Sequence, residues 1–164
     1  MADPLSVSAS IAGLVALANL VFRSGTKYVK SYRGAPTEVG NLIREVRSLS
    51  VILHNLSLVA FNLEETEPPE TTAAVHEPRP VVQSHYLHDC HQLLRHLETG
   101  LSRTEASLDS GAGRSRLQAR LKWHFTSTES REMIQDIQRY SQIIHTALAA
   151  DSLAKLRQCL SRQV

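Results

Sequence analysis

Aromatic residues are scarce in this chain: three Phe, four Tyr and one Trp, 5% of 164 residues. Sheet sandwiches draw heavily on aromatic and β-branched side chains, so an aliphatic core of packed helices is the better expectation. Cysteine is scarcer. Cys90 and Cys159 are the only two; they form no CxxC and no metal-ligand spacing, and read as reduced, buried thiols of an intracellular protein. Net charge is only +2, which removes the bulk electrostatic case for a nucleic-acid partner. Walker, GxGxxG and GxSxG signatures are missing, so the chain is expected to be no enzyme and to hold no cofactor. No strict alternation marks a strand, and no internal repeat is present.

What the chain does have is an uncharged opening. From Leu5 to Phe22 no residue carries a charge, and then Arg23, Lys27, Lys30 and Arg33 arrive with no acid among them. As a helix the uncharged run spans about 27 Å, close to a bilayer's hydrocarbon thickness. Asp3 stands where a signal peptide needs positive charge, so a cleaved leader is not expected. Several serines and Asn19 argue against a permanent span. Ser8, Ala12 and Ala16, with Ala9 and Gly13 alongside, form small-residue stripes of the kind that let two helix backbones approach closely. The large residues Ile11, Leu14, Val15, Leu17, Leu20, Val21 and Phe22 cover the remainder, and Asn19 is placed to fix register or oligomer state. The pattern alone favours the central helix of a bundle, tight on its small faces.

Start and stop signals divide the chain into helices. Asp3-Pro4 opens the first, which runs to about Tyr32 and ends at Gly34-Ala35-Pro36. Pro36 opens the second, whose apolar stripe is Val39, Leu42, Val46, Leu49, Leu53, Leu56, Ala60 and Leu63. Residues 64–83, rich in Pro, Glu and Thr, read as a flexible acidic loop. The third helix starts near Ser84 with Leu87, Cys90, Leu94, Leu97, Leu101 and Leu108 on one stripe, and Gly100 inside it is expected to weaken or bend it. Ser110 to Gly113 form a turn, followed by a short basic helix bearing Arg114, Arg116, Arg120 and Lys122. Thr126 and Glu129 have capping-box spacing and start a further helix with Met133, Ile137, Tyr140, Ile144, Ala147 and Leu148 inward. Asp151 either caps a last short helix or lies within a continuous one. The fold expected is all-α: an antiparallel bundle of four long helices plus one or two short ones, a single domain over 1–164. Trp123 is expected to close one end as an aromatic wedge.

Two polar clusters compete for a functional reading. His85, His88 and His91 follow at spacings of three, but Cys90 belongs to the apolar stripe, and a solvated polar face is the better reading than a metal site. Arg23, Lys27 and Lys30 share one helical face. Such cations complement a helix dipole, and beside an apolar segment they also suit anionic lipid head groups.

The segments MADPLSVSASIAGLVALANLVF, GTKYVKSY, EVGNLIREVRSLSVIL, LKWHF and LAADSL resemble the fungal N-terminal domain of STAND (NOD-like receptor) proteins, a group related to the HeLo and HeLo-like domains. The same domain family is also named after an azaphilone pigment cluster protein. The resemblance implies a helical bundle like that of the necroptosis executioner pseudokinase, and a cell-death effector role. The domain would be cytoplasmic at rest and would move to the plasma membrane on activation, as a homo-oligomer triggered by a STAND or NACHT receptor chain. The inserting segment would be Leu5–Phe22, with Gly13 and its small neighbours at helix–helix contacts, and Arg23, Lys27 and Lys30 would face lipid. A helix apolar enough for either environment is expected to need only a few kcal/mol to move between them. Against that stands a soluble interaction or regulatory module, of a receptor or a secondary-metabolite cluster protein, whose first helix never leaves the core. The chain shows no ATPase segment up to Val164.

Overall fold

The computed structural model describes residues 4–31, 35–65, 84–109 and 123–161, with side chains over 10–31, 35–61, 85–103 and 123–152. Among the described residues there are four α-helices: α1 (Pro4–Ser31), α2 (Thr37–Glu65), α3 (Ser84–Asp109) and α4 (Ser127–Ser161). Among the described residues there is no strand. Glu64 and Glu65, expected in the acidic loop, are the last residues of α2; the rest of that stretch, 66–83, and the short basic helix expected at 114–122 lie outside the described residues.

Helix boundaries follow local chemistry. Proline stands at the first position of α1, where a missing N–H costs no intrahelical bond. Pro36 precedes α2, and its carbonyl accepts from the Val39 N–H at 3.0 Å. Asp151 lies within a continuous helix: α4 runs through it to Ser161.

Chain direction alternates along the sequence. Asn19 of α1 meets Ser50 of α2, and Gly25 meets Ile43, so these two helices run antiparallel. The starts of α2 and α4 lie together, where Ser127 and Arg131 both donate to Glu38. Helix α1 packs against α2 and α3, helix α2 also packs against α4, and α3 barely touches α4.

The core sits between all four helices. Leu42, Val46, Leu49 and Leu53 of α2, Leu94, Leu97 and Leu101 of α3, and Ile137 and Ile144 of α4 are sealed from solvent, and Leu87 and Trp123 nearly so. Leu148 is half-buried against this cluster. From α1 the contributors are Ile11, Leu14, Leu17, Ala18, Val21 and Tyr28. Burial pushes the Cys90 thiol up to about 12, which keeps it protonated and inert.

Candidate functional site

Of the residues that sequence singled out on α1, some point inward and some outward. Ile11, Leu14, Leu17 and Val21 are core. Ala12, Gly13, Ala16, Asn19 and Leu20 face solvent, as do Arg23, Lys27 and Lys30. Residues 13, 16, 20, 23, 27 and 30 follow at steps of three and four, so they make one continuous outer stripe. Phe22 is half-buried beneath the Arg47 guanidinium, 5.5 Å from its ring centroid. The side chains of Leu5 and Ala9 lie outside the described residues.

This overturns one expectation. The small residues were read as the tight faces of a central helix, yet nothing comes within 4 Å of a Cβ built on Gly13. The close approach of α1 to α2 occurs at Gly25 instead, where a Cβ would lie 2.7 Å from Ile43 Cγ1. Sequence reasoning missed Gly25 because a glycine in a polar stretch carries no apolar pattern. Asn19 is bonded within the chain: its Oδ1 accepts from the Ser50 hydroxyl of α2 at 2.9 Å.

Helix α2 completes the outer surface. Arg47, Val51, His54, Leu58 and Phe61 follow at steps of four and three and are all exposed. Leu20, Val51, Leu58 and Phe61, each about half exposed, are the large apolar side chains left in solvent among the described residues, and all lie on α1 and α2. Arg44 adds a further exposed cation. The face therefore pairs an apolar end, around Leu58 and Phe61, with a cationic end around Arg23, Lys27, Arg44 and Arg47.

The junction before α4 is built the opposite way. The Trp123 indole N–H donates to the buried Ser130 hydroxyl at 2.9 Å, and its ring packs on Tyr28 and Phe125, each at 5.3 Å. Phe125 fills the space above Gly100, where a Cβ would lie 2.5 Å from the ring. Gly100 is thus a seat for an aromatic ring, and α3 continues through it. The capping box forms in full: the Thr126 N–H and hydroxyl donate to Glu129 at 2.7 and 2.8 Å, and the Glu129 N–H donates back to the Thr126 hydroxyl at 3.2 Å. The Thr126 N–H first, and then its hydroxyl, hold the Glu129 carboxyl below the usual carboxylate range.

His85 and His88 are exposed and His91 is half-buried. The His85 ring packs on Tyr86 and His88 pairs with Gln92 at 3.5 Å. Among the described residues no three ligating side chains come together around a metal position, and no helix is long and apolar enough to cross a membrane.

A family model described as pigment biosynthesis cluster protein PigL N-terminal matches residues 2–162. No curated protein and no solved structure matches the chain. The family match takes in all four helices, the outer α1–α2 face and the Trp123 junction, and the chain belongs to the PigL N-terminal family of pigment biosynthesis cluster proteins.

Proposed function

We propose that this domain is a non-enzymatic helical module that seats its outer α1–α2 face on an anionic membrane surface while α1 stays in the bundle. The observation that supports this reading is one-sidedness. Leu20, Val51, Leu58 and Phe61 are exposed on the same two helices as Arg23, Lys27, Lys30, Arg44 and Arg47. Each cation held near an anionic surface contributes about 1 kcal/mol, and the apolar side chains add burial in the interfacial region.

Seating is favoured over insertion on energetic grounds. Pulling α1 out would expose Ile11, Leu14, Leu17 and Val21. Until those side chains reach lipid, at about 1.5–3 kcal/mol each this costs roughly 6–12 kcal/mol, comparable with the whole net stability of a domain, about 5–15 kcal/mol. A pore-forming or cell-death role would need an activator supplying that difference, such as a receptor chain, with homo-oligomers forming over the open Ala12, Gly13 and Ala16 strip. The second reading is a soluble regulatory module that meets a protein partner on the same face; the pigment-cluster family match favours it.

Co-sedimentation separates the two. The protein should pellet with vesicles containing phosphatidylserine and stay in the supernatant with phosphatidylcholine alone. The triple variant Arg23→Gln/Lys27→Gln/Lys30→Gln and the double variant Leu20→Ser/Phe61→Ser should each lose pelleting while keeping the wild-type melting curve. Equal pelleting of wild type and both variants, or none by the wild type, sinks the membrane reading and leaves the protein-partner one.

A further inference from the structure

A second polar feature lies on α3, away from the apolar outer face. Gln92, His96, Thr99 and Arg103 follow at steps of four, three and four, so they share one side of the helix, with Arg95 beside them. The segment before α4 crosses this side: Phe125 seats over Gly100, and Arg103 donates to His124 Nε2 at 3.4 Å. Gln92, Arg95, His96, Thr99, Arg103 and His124 line an open cleft of about 350 Å³.

The lining is cationic and polar, with part of its donor capacity in use: the Thr99 hydroxyl donates to the Arg95 carbonyl at 2.9 Å, and His124 Nε2 accepts from Arg103. It offers two guanidiniums, a carboxamide, a hydroxyl and two imidazoles, and no carboxylate. Two neighbouring acids bear on the cleft: Glu98 holds one of the lining guanidiniums, and Glu129 is within electrostatic reach of His96 and His124. Glu98 takes Arg95 and Ser102 at 3.5 and 3.4 Å, and Glu129 is committed to the cap. The Arg95–Glu98 pair is solvent-exposed, so it is a weak contact that an incoming anion can replace. A metal fits poorly here: the His96 and His124 rings each pack on Phe125, with centroids at 5.0 and 5.3 Å, and no third ligand joins them among the described residues.

We propose that this cleft binds the phosphate group of a small soluble phosphate ester. Guanidinium forks match phosphate oxygens bidentately, and charge-assisted bonds of this kind are the strong ones. The volume sits at the low end of small-molecule sites, roughly 300–1,000 Å³, enough for a phosphate and a short organic moiety. A lipid would present the same headgroup chemistry. Yet α3 leaves no large apolar side chain exposed among the described residues, so nothing beside the cleft would anchor in a bilayer. This site is independent of the α1–α2 face and of its proposed role.

The test is an NMR titration of the full chain with inorganic phosphate, glycerol 3-phosphate and, as the neutral control, glycerol. Saturable shifts are expected at the amides of Thr99, Gly100, Arg103 and His124 with both phosphates and none with glycerol. Arg95→Gln and Arg103→Gln should each weaken glycerol 3-phosphate binding about tenfold, the scale of one charge-assisted contact. Arg139→Gln, an exposed change on α4, should leave it unchanged. Non-saturating shifts, or equal loss in all three variants, would overturn the site. Binding to phosphatidic acid vesicles that depends on Arg95 and Arg103, with no response to glycerol 3-phosphate, would overturn the soluble ligand.

Discussion

The outer α1–α2 face and the Trp123–Ser130 junction belong to one small bundle and are built to opposite rules. At the junction the aromatic rings pack on one another, and Trp123, Thr126, Glu129 and Ser130 are hydrogen-bonded. Trp123 holds Ser130, Phe125 fills the space over Gly100, and Thr126 and Glu129 exchange three hydrogen bonds. On the outer face the Asn19–Ser50 bond stitches α1 to α2 at its edge, while Leu20, Val51, Leu58 and Phe61 are left about half exposed. The junction holds the fold; the face leaves apolar and cationic side chains exposed. The same residue type shows the difference. Glycine at 25 and 100 is required by a neighbour's side chain, and glycine at 13 is required by nothing among the described residues.

The largest expected effect breaks the junction. Trp123→Ala removes a buried ring that contacts α1 and α4, and should cost about 3–5 kcal/mol in urea unfolding. Leu20→Ala on the outer face should stay within about 0.5 kcal/mol. If the two losses are similar, the contrast between the regions is wrong. Next come the glycines. Gly100→Ala drives a methyl into the Phe125 ring and Gly25→Ala drives one into Ile43, and each should cost about 1–3 kcal/mol. Ile43→Ala should recover part of the Gly25→Ala loss in the double variant, because it removes the clashing atoms.

The ease of reading differed between the two regions for a physical reason. Core positions such as Leu42, Leu49, Leu53, Leu94 and Ile137 were legible because helical periodicity is local, and each repeats the same face every three or four residues. The Thr126–Glu129 box was legible because its partners lie three residues apart. Gly100 was legible only as a helix weakener, since the ring that occupies its missing Cβ arrives from residue 125. The Arg103–His124 pair spans 21 residues, and nothing in local spacing brings a phosphate-sized cleft into view. The small stripe was misassigned to a tight face for a related reason. Pattern reports which residues tolerate burial, and here the bundle had enough larger apolar groups to leave Ala12, Gly13 and Ala16 outside.

A smaller effect tests the cap. Thr126→Ala should cost about 1 kcal/mol. The carboxyls at both ends of this contact network titrate below their ordinary 4.5: Glu129 through the Thr126 N–H and hydroxyl, and Glu38 through its own backbone N–H and then the Ser127 hydroxyl. A lowered folded value means the unfolded chain takes up protons first. The stabilisation is therefore full above about pH 4.5 and is lost as pH falls through the lower folded values. Melting midpoints of wild type and Glu129→Gln should differ at pH 7 and converge toward pH 3, whereas a constant gap would mean the carboxylate charge contributes nothing.

The smallest effect has the opposite sign. Gly13 lies in the middle of α1 with open space where its Cβ would be, so Gly13→Ala should stabilise the monomer by about 0.5–1 kcal/mol through helix propensity alone. The larger Gly13→Leu adds bulk to a solvent-facing stripe and should leave the melting curve within about 0.5 kcal/mol of wild type. If α1 nonetheless meets a second helix when the domain works, the same substitution must obstruct that meeting. A Gly13→Leu protein that melts normally and pellets normally with anionic vesicles places no second helix over Gly13. One that melts normally but fails to self-associate on those vesicles would give the open glycine a reason that the isolated bundle does not.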